Sequence, residues 1–271
     1  MSKEQASYTH GHHASVVNDH ARRTAQDSAA YLLPHIKPTD YILDVGCGPG
    51  TITADFAELV PQGKVLGCDL VESVLSQASD VAASRGLSNI SFQAVDANSL
   101  PFADNTFDVV HCHQVLQHVK NPVGILKEMR RVVKPGGLVA AREADYKSFA
   151  WYPEPQELAR WMELYQKVAR ANGGEPNAGR YCHVWAREAG FKVEAIETNW
   201  SSWRYSSVRA KQFAGSWSGR ILQPSFLRTA VREGYSTEEE IGQISEAWKA
   251  WGQDEEAFIG ISHAEILARK L

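Results

Sequence analysis

The sequence predicts an α/β fold: a doubly wound sheet of about seven strands, mostly parallel with the last strand antiparallel, carrying a helical lid. Three observations point there. Through the first 150 residues, short apolar runs alternate with longer amphipathic stretches, the pattern of parallel strands joined by right-handed crossover helices. The runs are nearly continuous rather than alternating, as strands covered on both faces must be. Lastly, "YILDVGCGPGT", Tyr41 to Thr51, ends a strand in three glycines within five residues, beside an acid.

The elements follow in order. Val16, Val17, His20, Ala21 and Thr24 fall near helical spacing, so a helix is predicted over residues 14–33, ended by Pro34 and Pro38. "YILDV" is the first strand. A helix follows from Thr51, closed by Pro61 and Gly63. "KVLGCD" is the second strand, and "VESVLSQASDVAASRG" a helix with Gly86 as its C-terminal glycine. "NISFQAV" and "FDVVHCH" are the third and fourth strands. "NPVGILKEMRRVV" is a helix with Pro122 in its first turn, stopped by "KPGG" before the fifth strand, "GLVAARE".

After Phe149 the texture changes, and all eight tryptophans, Trp151 to Trp251, fall in this half. "PQELARWMELYQKVARANGG" and "TEEEIGQISEAWKAWGQ" read as amphipathic helices, while "FKVEAIETNW" and "AFIGISHAEILARKL" alternate like sheet-completing strands. Residues 1–271 thus read as one domain: a helical cap over 1–34, a ligand-binding core over 35–150 and helices over 151–190. Strands at 191–199 and 255–271 complete the sheet, with a helical insert over 200–254 lying on the rim as a lid.

Bulk properties narrow the function. A net charge of −4 gives no electrostatic footprint for nucleic acid. The basic cluster Lys127, Arg130, Arg131 and Lys134 lies on a predicted helix and reads as a solvated face. "MSKEQASYTHGHH" has no apolar segment of the secretory kind, and no apolar run reaches membrane-spanning length. Cys47, Cys68, Cys112 and Cys182 are scattered without CxxC pairs, as reduced thiols in a cytoplasmic protein would be.

Ligands of such sheets bind at the carboxyl ends of the strands, which lines Asp44–Gly50, Asp69, Asp96, His113 and Arg142–Asp145 along one rim. A dinucleotide wants G-x-G-x-x-G, whereas Gly46-Cys47-Gly48-Pro49-Gly50 is G-x-G-x-G. Pro49 removes a backbone donor, and Asp44 would repel a nearby phosphate. An acid there suits a ligand with an ammonium group. The plainer alternatives are a loop-capping Asp44, and Asp69 and Asp96 as helix N-caps.

"LDVGCGPGT", "GCDL", "AVDANSLPFADNTFDVV", "HQVLQHV" and "EMRRVVKPGG" together resemble the Rossmann-like class I S-adenosylmethionine-dependent methyltransferases, in particular their UbiE-like small-molecule branch, over about residues 35–145. The resemblance implies S-adenosyl-L-methionine as cofactor and S-adenosyl-L-homocysteine as product. It implies that Asp44 and the Gly46 carbonyl meet the cofactor's ammonium, and that Cys47 and Gly48 let the backbone approach. Asp69 would take the ribose hydroxyls, Leu70 would pack on adenine, and Asp96 and Ala97 would bond its edge. His113 would lie near the methyl as base or orienting donor, with Gln114 and His118 beside the cofactor and Tyr8 and His12 capping it. The plain reading of His118 is a structural hydrogen bond.

On the substrate side, Glu143 and Asp145 are candidates to bind or deprotonate the acceptor; an ion pair with Arg142 is the alternative. Tyr146, Trp151, Trp200 and Trp203 lie by rim loops and suggest an aromatic or polycyclic small molecule, although most tryptophans read as core. No acid or thiol joins His10, His12 and His13, or His111 and His113, at ligand spacing, so no metal is expected. The competing functions are an NAD(P)-dependent oxidoreductase, a non-catalytic cofactor-binding module, and a methyltransferase of RNA or protein. The expected partner is a small molecule, with no membrane span and a monomeric or homodimeric state.

Overall fold

The computed structural model describes residues 22–271. Five strands run parallel in the spatial order β3-β2-β1-β4-β5: β1 (Tyr41–Val45), β2 (Lys64–Asp69), β3 (Ile90–Ala94), β4 (Phe107–His113) and β5 (Val133–Ala144). The chain builds outward from β1 to β3, then crosses back to lay β4 on the other side of β1. The order therefore reverses between β1 and β4, which opens a crevice at their carboxyl ends.

The last strand, β8 (Phe258–Arg269), inserts between β5 and β7 (Ile196–Ser206), antiparallel to both. Short β6 (Ala150–Tyr152) prolongs the β5 edge along β8. Among the described strands only β8 runs against the others, the antiparallel last strand of the expected fold class.

Period-two alternation sorts β1 between two cores. Leu43 and Val45 pack toward α4 (Pro122–Val132) and α6 (Cys182–Glu188). Ile42 packs on the other face with α1 (Ala25–Ser28) and α2 (Thr51–Leu59). Between β2 and β3 runs α3 (Glu72–Ser84), and its end is marked by Gly86 at φ +67°. A third core holds α5 (Gln156–Ala171), α7 (Ser207–Arg220), α8 (Pro224–Arg232) and α9 (Glu238–Trp251) together above β6 and β7. Its centre is aromatic: Trp161 meets Trp217 and Trp248 edge-on, with ring centroids 4.7 and 4.8 Å apart. Among the described residues no helix is long and apolar enough to cross a membrane.

Three boundaries differ from the sequence reading. Of the expected helix over 14–33, residues 14–21 lie outside the described residues, and only Ala25–Ser28 is α-helical in the rest. Thr24 is the reason: it is extended, its hydroxyl accepts from Asp27 N–H, and Asp27 bonds back to Thr24 N–H, a capping box that starts a helix there. The "KPGG" segment is not a loop before β5 but a bulge within it; the pairing jumps from Phe107↔Val133 to Val109↔Leu138. Finally, β7 runs to Ser206 instead of stopping at 199, because β8 pairs with it residue by residue from Ile196 to Ser206. The helical insert accordingly begins at Ser207.

Candidate active site

The glycine loop is held by its backbone. Gly46 and Cys47 N–H both donate to the Cys68 carbonyl at the end of β2, at 2.7 and 3.0 Å. Gly46, Gly48 and Gly50 all sit at positive φ (+69°, +53° and +76°), where side chains are strained. A Cβ on Gly46 would lie 2.4 Å from Val115 Cγ2, and one on Gly50 2.6 Å from Ala78 Cβ. A Cβ on Gly48 would meet no protein atom within 4 Å. The first and third glycines are thus needed for packing, while the second leaves open space on the rim.

Asp69 closes that space on one side. Its half-buried carboxylate accepts from Gly48 N–H and from Val71 N–H, both at 3.1 Å, joining the loop to the start of α3. Beside it Leu70 is 54% exposed, an apolar platform on an otherwise polar rim. Asp96 follows β3 in an Asx turn, its Oδ1 accepting from the backbone and side-chain N–H groups of Asn98 at 2.9 and 2.8 Å. Ala97 packs partly against the core below.

Asp44 points beneath the loop. It is 3% exposed; Thr53 Oγ1–H donates to one carboxylate oxygen at 2.6 Å, and His111 Nδ1–H to the other at 2.8 Å. This triad ties α2, β1 and β4 together below the glycines. Both carboxylate oxygens of Asp44 are thus engaged by side chains beneath the loop.

Across the crevice, Gln114 leaves β4 at φ +55°, rare for a side-chain-bearing residue and strained. Its Oε1 accepts from Arg23 Nη2–H at 2.8 Å, so its Nε2–H faces His263 Nε2, also at 2.8 Å. His113 is 7% exposed, and neither ring nitrogen has a hydrogen-bond partner among the described residues. Its ring centroid lies 5.5 Å from Trp203 and 6.2 Å from His263. Burial, then the charges of Arg23 and Arg142, hold the His113 imidazole well below the usual histidine range. His118, against Gln117 at 3.0 Å, is pushed down to about 3, chiefly by burial and next by Arg23 and Arg220.

A cleft of about 330 Å³ opens next to Gln114. Tyr146, Phe149, Trp203, Tyr205, Phe213 and Trp217 give it an aromatic wall. Tyr146 and Trp203, both expected by rim loops, line this cleft. Trp151 and Trp200 do not: Trp151 packs on Trp161 at 6.2 Å, and Trp200 is 49% exposed on the outer edge strand. Trp200 and Trp203 stand three residues apart, on opposite faces of β7.

The acids of "READY" face inward instead of toward an acceptor. Glu143, fully buried, accepts the backbone N–H groups of Val115, Leu116 and Gln117 at 2.9, 2.9 and 3.1 Å. It anchors the turn that follows β4. Burial pushes its carboxyl up to about 7 against the pull of those three donors. Asp145, also fully buried, is clasped by Arg180 through two bonds of 2.6 and 2.5 Å. Arg142 pairs with neither; its partner is Glu265 at 3.0 Å. Tyr8, His10, His12 and His13 lie outside the described residues. Among the described residues no three His, Cys, Asp or Glu gather as a metal site would require.

The sequence reading missed His263, Arg23 and the cleft wall of α7. His263 gave one signal, a histidine inside an apolar strand.

The sequence model of the methyltransferase domain family matches residues 36–205. An uncharacterized methyltransferase of Schizosaccharomyces pombe is 35% identical over 283 residues, spanning 100% of this chain and 99% of that protein. A demethylmenaquinone methyltransferase of Symbiobacterium thermophilum is 43% identical over 112 residues, 41% of this chain and 45% of the bacterial protein. Among solved structures, phosphoethanolamine N-methyltransferase 2 of Haemonchus contortus superposes at a TM-score of 0.54 and 18% identity, covering 87% of this chain and 50% of that one; this likeness is one of fold.

Proposed function

The chain belongs to the S-adenosylmethionine-dependent methyltransferases, and from that premise we propose that it methylates a small aromatic or polycyclic molecule held in the cleft beside Gln114. The observation that carries the reading is Gly48: an open cradle at positive φ, between the Asp69 carboxylate and the exposed Leu70. That combination fits a nucleoside with a diol and a flat base. Membership of this family displaces the oxidoreductase alternative.

The cofactor, when bound, supplies an electrophilic methyl on sulfur. What the chain supplies is position. Asp69 offers acceptor sites for two hydroxyls, and Leu70 an apolar face for the base. Asp96 and Ala97 offer an acceptor and a donor at the third strand tip. Gly46 and Cys47 present backbone to the amino-acid end, held by the Cys68 carbonyl, with Asp44 buried beneath the loop between Thr53 and His111. Aromatic rings of the cleft wall hold the acceptor. Fixing two reactants about 3–3.5 Å apart accounts for much of the acceleration of such a transfer. The neutral His113 orients the acceptor as donor or acceptor of a hydrogen bond; Glu143, committed to three N–H groups, has no part in proton transfer to substrate.

Two results are expected. Asp69→Ala lowers affinity for S-adenosylhomocysteine by about 1.5–3 kcal/mol, the value of hydrogen bonds to a charged group, as read by calorimetry. An unchanged dissociation constant removes Asp69 from the site. The second concerns pH. His113 is held below its ordinary value, so it stays neutral as pH falls through 6.5, and the rate profile shows no acid limb there from this residue. A limb at 6.5 that vanishes in His113→Asn contradicts the assignment. Extracts incubated with enzyme and deuteromethyl-labelled cofactor, read by mass spectrometry, test the function itself: a labelled small molecule is expected, and labelled RNA or protein alone overturns it.

A further inference from the structure

His263 stands behind the cleft and is not among the described residues of its wall. It lies on β8, fully buried, between Ala144 of β5 and Ser201 of β7. The Trp203 ring meets it edge-on, with centroids 4.5 Å apart.

The direction of each hydrogen bond leading to it is fixed by chemistry. Arginine only donates, so Gln114 Oε1 accepts from Arg23 at 2.8 Å. The Gln114 amide nitrogen then donates to His263 Nε2, also at 2.8 Å. Nε2 must be unprotonated to accept it, which puts the proton of the neutral ring on Nδ1. Burial, then the charges of Arg142 and Arg23, hold the imidazole well below the usual histidine range and keep it neutral. The other tautomer would turn an N–H against the amide NH2. Rotating the amide would relieve that clash only by setting NH2 against the Arg23 guanidinium.

Gln114 itself is strained, and φ +55° persists only where the surroundings hold it. Its backbone N–H donates to the Arg142 carbonyl at 2.9 Å, and its side chain is held at both ends. Beyond Gln114 the contacts cross the cleft. Arg23 Cζ lies 5.3 Å over Trp203, and Trp203 Nε1–H donates to the Asp27 carbonyl at 2.8 Å. Arg22 donates to Gln212 of α7 at 2.6 Å. Arg22, Arg23 and Asp27 thus form one side of the cleft, and the bond from Arg23 to Gln114 fastens that side to the end of β4.

We infer that His263 is a positioning residue for methyl transfer: by accepting the Gln114 amide at Nε2 it turns the Gln114 oxygen to Arg23, and so holds residues 22–27 across the acceptor cleft. The inference rests on the methyltransferase reading of that cleft. Gly48, Asp69 and Leu70, on the cofactor side, lie outside this chain of bonds. His263 therefore acts on how the acceptor is held and not on cofactor affinity, and a small misplacement of a reactant is costly in rate.

The test uses the full chain. Proton–nitrogen correlation spectra of the imidazoles near neutral pH, with His263 assigned by its absence from His263→Gln, are expected to show Nδ1 protonated and Nε2 unprotonated. His263→Phe and Gln114→Leu break the chain of bonds from either end, while His263→Gln puts an acceptor oxygen in place of Nε2. At saturating S-adenosylmethionine, the rate at which deuteromethyl label enters the small-molecule fraction of an extract is expected to fall about tenfold or more in the first two variants, the worth of a hydrogen bond to a charged group, and to recover in His263→Gln. Amide exchange over residues 22–28 rises in the same two variants and recovers in the third. The KM for S-adenosylmethionine and the Kd for S-adenosylhomocysteine stay as in the natural chain, a split that general loosening of the fold does not give. His263→Phe alters a fully buried position, so Gln114→Leu, at a partly buried one, decides if the other misfolds. A proton on Nε2, label rate and exchange unchanged in Gln114→Leu, a glutamine that behaves as phenylalanine, or a loss shared equally by S-adenosylhomocysteine binding overturns the inference. Failure of the natural chain to bind S-adenosylhomocysteine defeats the methyltransferase reading instead, and the imidazole spectra and amide exchange still decide whether His263 holds residues 22–27.

Discussion

Replacing Glu143 by alanine is expected to destabilise the fold by about 3–5 kcal/mol, because several buried N–H donors lose their shared acceptor at once. The reason is local accounting. Three consecutive backbone N–H groups, Val115, Leu116 and Gln117, end on this one carboxylate. Each buried donor left without an acceptor costs about 1–3 kcal/mol. The turn they form is coupled further: Gln117 Oε1 accepts from Ala144 N–H at 3.0 Å, and its carbonyl from Glu175 N–H at 2.9 Å. Loss of the anchor therefore loosens the end of β4 together with Gln114 and the cleft. Urea unfolding reads the effect directly, and an unmoved midpoint would remove Glu143 from the framework. Glu143→Gln, similar in shape, adds a pH test. Burial raises the Glu143 carboxyl to about 7, so between about 4.5 and 7 the folded state keeps a proton that the unfolded chain has released. That contribution is complete below the lower value and is lost as pH rises through 7. The advantage of the natural residue over glutamine is expected to be larger at pH 5.5 than at pH 8.

What the sequence discloses is what local chemistry decides. The glycine loop was legible because positive φ and close approach exclude other residues at Gly46 and Gly50, whatever lies further off. The parallel strands were legible because burial on both faces makes their apolar runs continuous. Thr24 could have been read as a cap, since Thr-x-x-Asp carries its own hydrogen bonds, but the apolar spacing around it competed. The end of β7 was not legible: "SSWRYS" is polar, and only its pairing with β8, some sixty residues on, makes it a strand. The same holds for "READY". Adjacent residues of a strand face opposite ways, and nothing local says that Arg142 meets Glu265, that Glu143 meets a turn, or that Asp145 meets Arg180. The stripe of α7 in the cleft wall was visible in the spacing from Arg209 to Arg220, but what faces it comes from residues 22–27, 114 and 203. A wall that gathers from several parts of the chain leaves no signature in any one of them.

Gly48→Val is expected to fold and to lose the cofactor, with affinity for S-adenosylhomocysteine down about 100-fold. The two halves of that result have separate causes. A side chain at φ +53° costs about 1–2 kcal/mol of backbone strain, a loss of a few degrees in melting temperature for a chain of this size. The new Cβ itself meets no protein atom within 4 Å, so it adds no packing penalty. Overfilling an occupied space typically costs about 1–3 kcal/mol, and the upper part of that range corresponds to the expected fall in affinity. Gly50→Ala supplies the contrast. Its Cβ would lie 2.6 Å from Ala78 Cβ and 3.0 Å from Ala78 Cα, so α2 and α3 must separate before it fits. There the stability falls first, and binding fails only because the fold does. If Gly48→Val instead binds S-adenosylhomocysteine as the natural chain does, the space beside Asp69 and Leu70 is not where the nucleoside lies. The methyl donor would then have to approach the acceptor cleft from elsewhere on the rim.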